Sequence, residues 1–473
     1  MAREPPTNNT AFSILPIELN QAIACELETD KDILTYRAVC RATRNAIDAD
    51  KGHFWRTQFR KTFDLVEGKT NMELKESYRN RKKQLRRGTG YEFFRGHNTR
   101  EKDVVEVLKQ LIVESFKGPF DVDEHGRPRS LNHKILANFV LNSKMLLNTR
   151  RAIRPPRNEP MGINPALAAV KLMCSHFLFE LEGAKHNVFA MEESQRIVYM
   201  ATNSAPLYSG TDMTVVNMEW MLHCFNFFRH HMMNEEAMTL HEVISELSPR
   251  QKPSSWQEPL RKGSYPLGKH WKGTYSFLDT GEVSKLRRMS PEQVGDAFLC
   301  DKNIDEGKVQ SLHLDFVEGA PLRWPKIFEK RLHSLRNVAE PQLKTQGRSK
   351  AKDSDHGPKN LQFTGRGIDL DDDFNAIGWL NPLPAQHGIP GWQRITFMKH
   401  FMDDFDQVEQ DNLWAYEGVV LPGGRIILGR WWYASDEVDF NNDYNGPFIL
   451  WAIDEPDMEG ELKDEDENGA DEA

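Results

Sequence analysis

Four histidines gather in one stretch of the chain, at His223, His230, His231 and His241, and raise the question of metal chemistry. A zinc protease carries H-E-x-x-H on one helix face, so that the two imidazoles hold the metal and the glutamate activates its water. Here His241-Glu242 is followed by Val243-Ile244-Ser245, which breaks that pattern, and no cysteine lies at zinc-finger spacing. These histidines read as packing or surface groups. Asp369-x-Asp371-x-Asp373 has the opening of a calcium loop, but Phe374 stands where the turn needs glycine and Leu380 where it needs a bidentate glutamate. Cys25, Cys40, Cys174, Cys224 and Cys300 are odd in number, widely spaced and without a C-x-x-C pair, so they read as reduced thiols. No phosphate loop, nucleophile elbow or dinucleotide fingerprint is present. Nothing in the chain calls for a catalytic residue, a metal or a cofactor.

Bulk properties narrow the class further. At 473 residues there is room for about two or three domains. A hydrophobic content of 39% with 28% charged residues suits a globular fold. The net charge of −9 argues against nucleic acid as the main partner, which would favour a basic surface. The start, MAREPPTNNTAF, has no apolar core, so no secretory signal is expected, and no apolar run is long enough to span a membrane. The expected location is cytoplasmic, nuclear or both.

The elements that organise the chain begin with Ser13 to Phe59, which reads as three short helices closed by an aromatic clasp. Pro16 suits a first helical turn, and Glu18 complements the helix N-terminus. Leu15, Leu19, Ala22, Ile23, Cys25 and Leu27 then spread over an arc of roughly 200°, wider than the roughly 100° a one-sided helix hides. Asp30 is placed to cap a second helix from Lys31, and Val39-Cys40-Arg41 opens a third to Ala49. Phe54, Trp55 and Phe59 supply the clasp. So small a unit rarely folds unaided. Its surplus apolar face implies a partner.

The order Leu15-Pro16-x-Glu18-Leu19, then Ile23 and Leu27, an acidic break, Val39-Cys40-Arg41, Arg44 and finally Phe54-Trp55 resembles an F-box. The family pattern often has Trp where this chain has Thr43, which removes one packing residue. The resemblance implies that Leu15, Pro16, Glu18, Leu19, Ile23, Leu27, Val39, Cys40, Arg41 and Trp55 serve binding of a Skp-family adaptor. It further implies a cullin and a RING subunit held through that adaptor, with the rest of the chain presenting a protein substrate. The alternative is a helical hairpin packed on its own domain.

Asn71 to Arg87 reads as a helix with Leu74, Tyr78 and Leu85 on one stripe and Arg79, Arg81, Lys82, Lys83, Arg86 and Arg87 elsewhere. That basic run suits a nuclear localisation signal, an acidic-substrate patch or a solvated face. Helical patterns follow over 103–116, 132–150, 166–181, 192–200 and 215–233, with no internal repeat. The Pro/Ser/Gly-rich stretch 248–268 reads as a linker.

Beyond it the period changes from helical to alternating. Strands are predicted at 270–277, 310–317, 361–364, 377–380, 393–398, 414–421, 425–433 and 448–453, with a hairpin turn at Leu421-Pro422-Gly423-Gly424. In the return strand Arg425, Ile427, Gly429, Trp431 and Tyr433 share one face, while Ile426, Leu428, Arg430 and Trp432 share the other. Both faces are apolar, so one points inward and the other is covered. About eight antiparallel strands suit a closed barrel. Gly268, Trp271, Gly273 and Tyr275 resemble the first strand of lipocalin-like barrels, which certain F-box-only proteins carry as a substrate-binding domain. On that resemblance Trp271, Tyr275, Arg425, Arg430, Trp431 and Trp432 are candidates for contacting a peptide substrate, since aromatics and arginine dominate binding hot spots. For each one taken singly, barrel core or a cross-strand pair is the stronger reading.

The expected fold is therefore α+β and multidomain: a disordered start (1–10), a three-helix F-box (11–62), a helical spacer (63–247), a linker (248–268), an antiparallel barrel (269–454) and a disordered acidic tail (455–473). The polar stretch 344–360 is expected to be a surface loop. The expected function is that of a non-catalytic substrate receptor in a Skp–cullin–F-box ubiquitin ligase, whose contribution is proximity. A small-ligand carrier built on the barrel, or an adaptor-bound scaffold outside a ligase, are the alternatives.

Overall fold

The computed structural model describes residues 11–27, 29–49, 53–64, 67–91, 93, 95–118, 121–122, 127–147, 162–181, 188–200, 207–237, 239–289, 299–316, 325–333, 360–370 and 372–454. The predicted start (1–10), tail (455–473), nearly all of the polar loop 344–360, and Asp371 lie outside them. The chain is α+β and divides into two compact units. One comprises Met1–Tyr91, Glu106–Asn142 and Gln257–Pro259; the other comprises Glu92–Val105, Ser143–Trp256 and Leu260–Ala473.

In the first unit the predicted three helices are a short turn and four helices: α1 (Ala11–Ile14), α2 (Ile17–Cys25), α3 (Asp30–Val39), α4 (Arg41–Asp48) and α5 (Phe54–Thr62). The clasp is itself a helix. Pro16 stands just outside α2, where its carbonyl accepts the Asn20 N–H at 3.1 Å. Thr29, rather than Asp30, caps α3 by accepting the Asp32 N–H at 3.1 Å. Thr43, lacking an indole, instead closes the start of α4, accepting the Cys40 N–H at 3.1 Å and donating to the Cys40 carbonyl at 3.0 Å. Buried Asn20 ties three elements: its amide donates to the carbonyls of Phe12 and Leu15, and Tyr36 Oη donates to its Oδ1 at 2.8 Å.

Helix α6 (Asn71–Gly88) begins with a reciprocal Thr70–Glu73 cap. Its Leu74 and Tyr78 close the core over Trp55 and Phe63, with ring centroids 5.6 and 5.8 Å from Tyr78. Arg81 departs from the predicted basic face. Its guanidinium lies 5.1 Å from the centroids of both Phe59 and Phe63 and pairs with Glu114, so it is buried. Asp64 accepts from the Phe116 and Leu131 N–H groups at 2.9 and 3.0 Å and from the Ser130 hydroxyl, fixing the start of α8 (Leu131–Asn142), which follows α7 (Thr99–Glu114).

The second unit is built on eight strands: β1 (His270–Tyr275), β2 (Gln310–Phe316), β3 (Leu361–Asp369), β4 (Asp372–Pro382), β5 (Gln393–Met402), β6 (Val408–Val420), β7 (Ile426–Tyr433) and β8 (Asn445–Ala452). Each pairs antiparallel with its chain neighbour, and β8 returns to β1 through Phe448 opposite Tyr275 and Ala452 opposite Trp271, closing the barrel. Inside, Leu314, Phe363, Phe397, Tyr416 and Phe448 form one core. Gly378 makes room for it, since a Cβ there would stand 2.6 Å from the Phe363 ring.

The outer wall is covered as well. Helix α9 (Met191–Tyr199) and helix α10 (Met218–Met233), the latter buried almost all round, pack on β7 and β8. Tyr208 Oη donates to the Gly418 carbonyl at 2.8 Å. Met398, Leu413, Trp432, Phe328 and Phe440 make a second core on another part of the wall. In the stretch read as a linker Trp256 is fully buried, 5.5 Å from Phe177, and the Gln251 carbonyl accepts from the Trp451 indole at 2.9 Å.

Candidate functional site

In the first unit the residues whose order resembles an F-box, with their neighbours Ile14, Ile17 and Leu34, sort by depth. Leu19 is 52% exposed, Leu34 53% and Ile14 76%, and Ile17, Ile23 and Val39 are exposed beside them in the sequence order of α1 to α3. Pro16, Glu18 and Arg41 are exposed, whereas Leu15, Leu27 and Cys40 are half-buried. Trp55 is core, with its ring 5.1 Å from Phe54 and 5.6 Å from Tyr78, so it supports the unit instead of presenting a surface. The interior of α2 to α5 is filled by Ala24, Ile33, Ala46, Ile47, Phe54 and Phe59, which leaves no room for the outward leucines. The Leu19, Ala22 and Ile23 part of the wide apolar arc read from the sequence is therefore a surface, and Leu15, Cys25 and Leu27 are half-buried. Apolar area of this kind marks interaction sites.

In the barrel, the β1–β2, β3–β4, β5–β6 and β7–β8 connections all fall at one end, because consecutive antiparallel strands alternate direction. At this mouth the aromatic rings form a continuous series. Tyr444 is 51% exposed and lies 5.8 Å from Phe277; Phe277 lies 6.1 Å from Trp431; Trp431 lies 5.5 Å from Trp414 and 5.2 Å from Tyr275. Tyr275, Phe277, Phe401 and Trp414 are half-buried, open to approach from the mouth.

Below these rings sits a polar group of inward-facing side chains. Tyr275 Oη donates to Asp369 at 3.0 Å, and the Lys399 ammonium pairs with the same carboxylate. The ammonium also faces three rings, 4.2 Å from Phe374, 5.5 Å from Phe401 and 5.7 Å from Tyr275. Burial pushes the Lys399 amine below its ordinary range, with Asp369 acting against the shift. Burial pushes the Tyr275 phenol up, and the neighbouring Asp369 charge adds to it. Gln310, opposite Gly273 in the β1–β2 register and so on the same inward face, hydrogen-bonds Tyr416. Its buried Oε1 has no donor.

Of the six barrel residues singled out from the sequence, Tyr275 and Trp431 meet at the mouth, and Arg430 and Trp432 meet on the outer wall, 5.2 Å from guanidinium to ring centroid. Trp271 lies near the opposite end, its indole donating to the Gly268 carbonyl at 2.6 Å, in one core with Tyr265 and Leu267. Arg425 is engaged with Asp454 at 2.6 Å and Ser254 at 2.8 Å. Arg430 and Trp432 are on the outer wall, where the Arg430 guanidinium covers the Phe440 ring at 4.1 Å. Burial pushes Arg430 down to about 10. Large apolar content on both faces of β7 concealed which side each residue takes.

Lys399 and Gln310 escaped the sequence reading, and Asp369 was weighed there only as the start of a calcium loop. Lys399 had a signal: on β5 it interrupts the inward series Ile395, Phe397 and Phe401, and a lysine inside an apolar alternation needs a partner. Among the described residues no group of three His, Cys, Asp or Glu side chains is placed to hold a metal. His223 stacks on Phe189 with centroids 3.7 Å apart, and His231 is buried beside Asp301. No helix among the described residues is long and apolar enough to cross a membrane. No known family model matches the chain, and it matches no curated protein and no solved structure.

Proposed function

We propose that this chain is the substrate-recognition subunit of a Skp–cullin–F-box ubiquitin ligase, with a lipocalin-like barrel as the part that reads the substrate. The observation that carries the reading is the apolar surface of Leu19, Ile23, Leu34 and Val39, exposed around a core that is already full. Leu19, Ile23 and Val39 are among the residues whose order resembles an F-box, Leu34 extends the same surface, and an adaptor helix bundle would cover it. The chain would supply no bond-making group. It would hold a substrate lysine near a conjugating enzyme brought by the cullin and RING subunits, raising effective concentration. The packed barrel interior, with Phe363, Phe397, Tyr416 and Phe448 in contact, weighs against a small-ligand carrier.

Co-purification with a Skp-family adaptor tests this reading. The native chain should bring down the adaptor and, through it, a cullin. A Leu19→Asp/Leu34→Asp chain should lose both while its unfolding transition stays in place. Equal capture by both chains would defeat the proposal; adaptor without cullin would favour a scaffold outside a ligase.

A further inference from the structure

The mouth of the barrel carries more than its aromatic lining. Apart from Val215, every large hydrophobic exposed on the described part of the second unit is at this end: Ile368, Leu370, Met402, Phe405 and Tyr444. Phe405, at the tip of the β5–β6 turn, is 81% exposed. Its turn is held rigid by Asp403, whose carboxylate accepts the Phe405 and Gln407 N–H groups at 2.9 and 2.8 Å. A large ring held out on a braced turn is preorganised for contact, with little ordering left to cost on binding.

On the β3–β4 and β5–β6 turns the exposed charge has one sign: Asp372, Asp404 and Asp406 are exposed there, and residues 367–373 and 402–412 contain no lysine or arginine. The bases near the neighbouring connections are engaged, Lys302 with Asp279, Arg287 with the Phe440 carbonyl and Asn441, and Lys330 with Asp436. Behind the rim, Lys399 shows what the lining tolerates: an ammonium is held there by Asp369 and three aromatic rings. Gln310, 5% exposed, faces inward with an Oε1 that lacks a donor. A peptide N–H would satisfy it.

We propose that the barrel mouth docks a basic peptide segment of a partner protein, with a large apolar side chain seated among Phe405, Tyr444 and Trp414 and flanking lysines or arginines over the aspartates. An acidic segment or a nucleic acid backbone would meet like charge at Asp404 and Asp406 and be disfavoured. This inference deepens the substrate-receptor reading and rests on it for biological meaning, although the docking itself is independent of any adaptor.

The test selects dodecamer peptides from a random displayed library on the intact chain, then measures the most enriched peptide as a fluorescein-labelled probe by anisotropy. Enriched sequences should place Lys or Arg beside a large apolar residue. Probe affinity should fall at least tenfold with Phe405→Ser, fall with Asp404→Asn/Asp406→Asn and with added salt, and be unchanged with Val215→Ser. Phe405 is a surface group, so its variant keeps the barrel intact, which a melting curve checks. Failure to enrich any peptide, enrichment of acidic peptides, or a probe indifferent to Phe405→Ser overturns the proposal. Leu19→Asp/Leu34→Asp should bind the probe normally and Phe405→Ser should capture the adaptor normally, so failure at one surface is read separately from failure at the other.

Discussion

The ammonium of Lys399 stands 4.2 Å from the centre of the Phe374 ring, inside the barrel, with Asp369 as its counter-charge. Removing one member of such a pair strands the other in a medium of low polarity. Asp369→Leu should therefore cost about 3–5 kcal/mol, whereas the double change Asp369→Leu/Lys399→Met should recover most of it. Urea unfolding of the three chains decides the matter, and equal losses for single and double variants would mean that the lysine finds water after all.

Leu19 and Trp55 both belong to the F-box-like pattern, yet one is a surface residue and the other is core. Leu19→Asp should change stability by about 0.5 kcal/mol or less. Trp55→Ala should cost about 3–5 kcal/mol, since it opens a hole against Phe54 and Tyr78. Denaturant midpoints of the two variants should differ accordingly. A large loss from Leu19→Asp would place that residue inside the unit.

Gly423 in the β6–β7 turn has φ +93, and a Cβ there would meet the Cβ of Trp256 at 2.2 Å. Gly423→Ala must both strain the backbone and push Trp256 out of its packing. The expected cost is about 2–4 kcal/mol. Thermal melting, with tryptophan fluorescence as a reporter of Trp256, measures it. An unchanged melting point would contradict the close approach.

Asp301 and His231 form a buried pair with opposing proton linkage. Asp301 accepts from the Tyr199 and Ser276 hydroxyls at 3.0 Å each, and His231 Nε2 lies 3.8 Å away. Burial pushes the carboxyl up to about 7 from 3.8, a contribution present below 3.8 and lost as pH rises towards 7. Burial pushes the imidazole down to about 3 from 6.5, a contribution present above 6.5 and lost as pH falls towards 3. Between 3.8 and 6.5 the two slopes cancel, and the pair binds one proton folded or unfolded. Asp301→Asn leaves the histidine alone, so the variant should gain about 1.4 kcal/mol per pH unit relative to the native chain in that window. Parallel pH profiles of the urea midpoint would refute the raised Asp301 carboxyl.

The sequence by itself determined the kinds of element and their order. Short runs rich in β-branched and aromatic residues, bounded by glycine, proline and asparagine, placed all eight strands over 270–453, because strand length and turn chemistry are local. Capping residues and apolar spacing placed α2 to α4 to within a residue or two for the same local reason. The excess apolar arc on α2 was also legible, since it counts side chains and needs no partner to be seen.

Only the tertiary structure decided depth and company. Trp55 and Leu19 look alike in a pattern, and it took Tyr78, from a helix further along, to bury one of them. Trp431 and Trp432 are neighbours in sequence, but closure of the barrel sends one inward to Tyr275 and the other outward to Phe440. Lys399 and Asp369 meet through the register of β3, β4 and β5. That register is set by non-local packing across the whole barrel, and no short stretch of the chain encodes it.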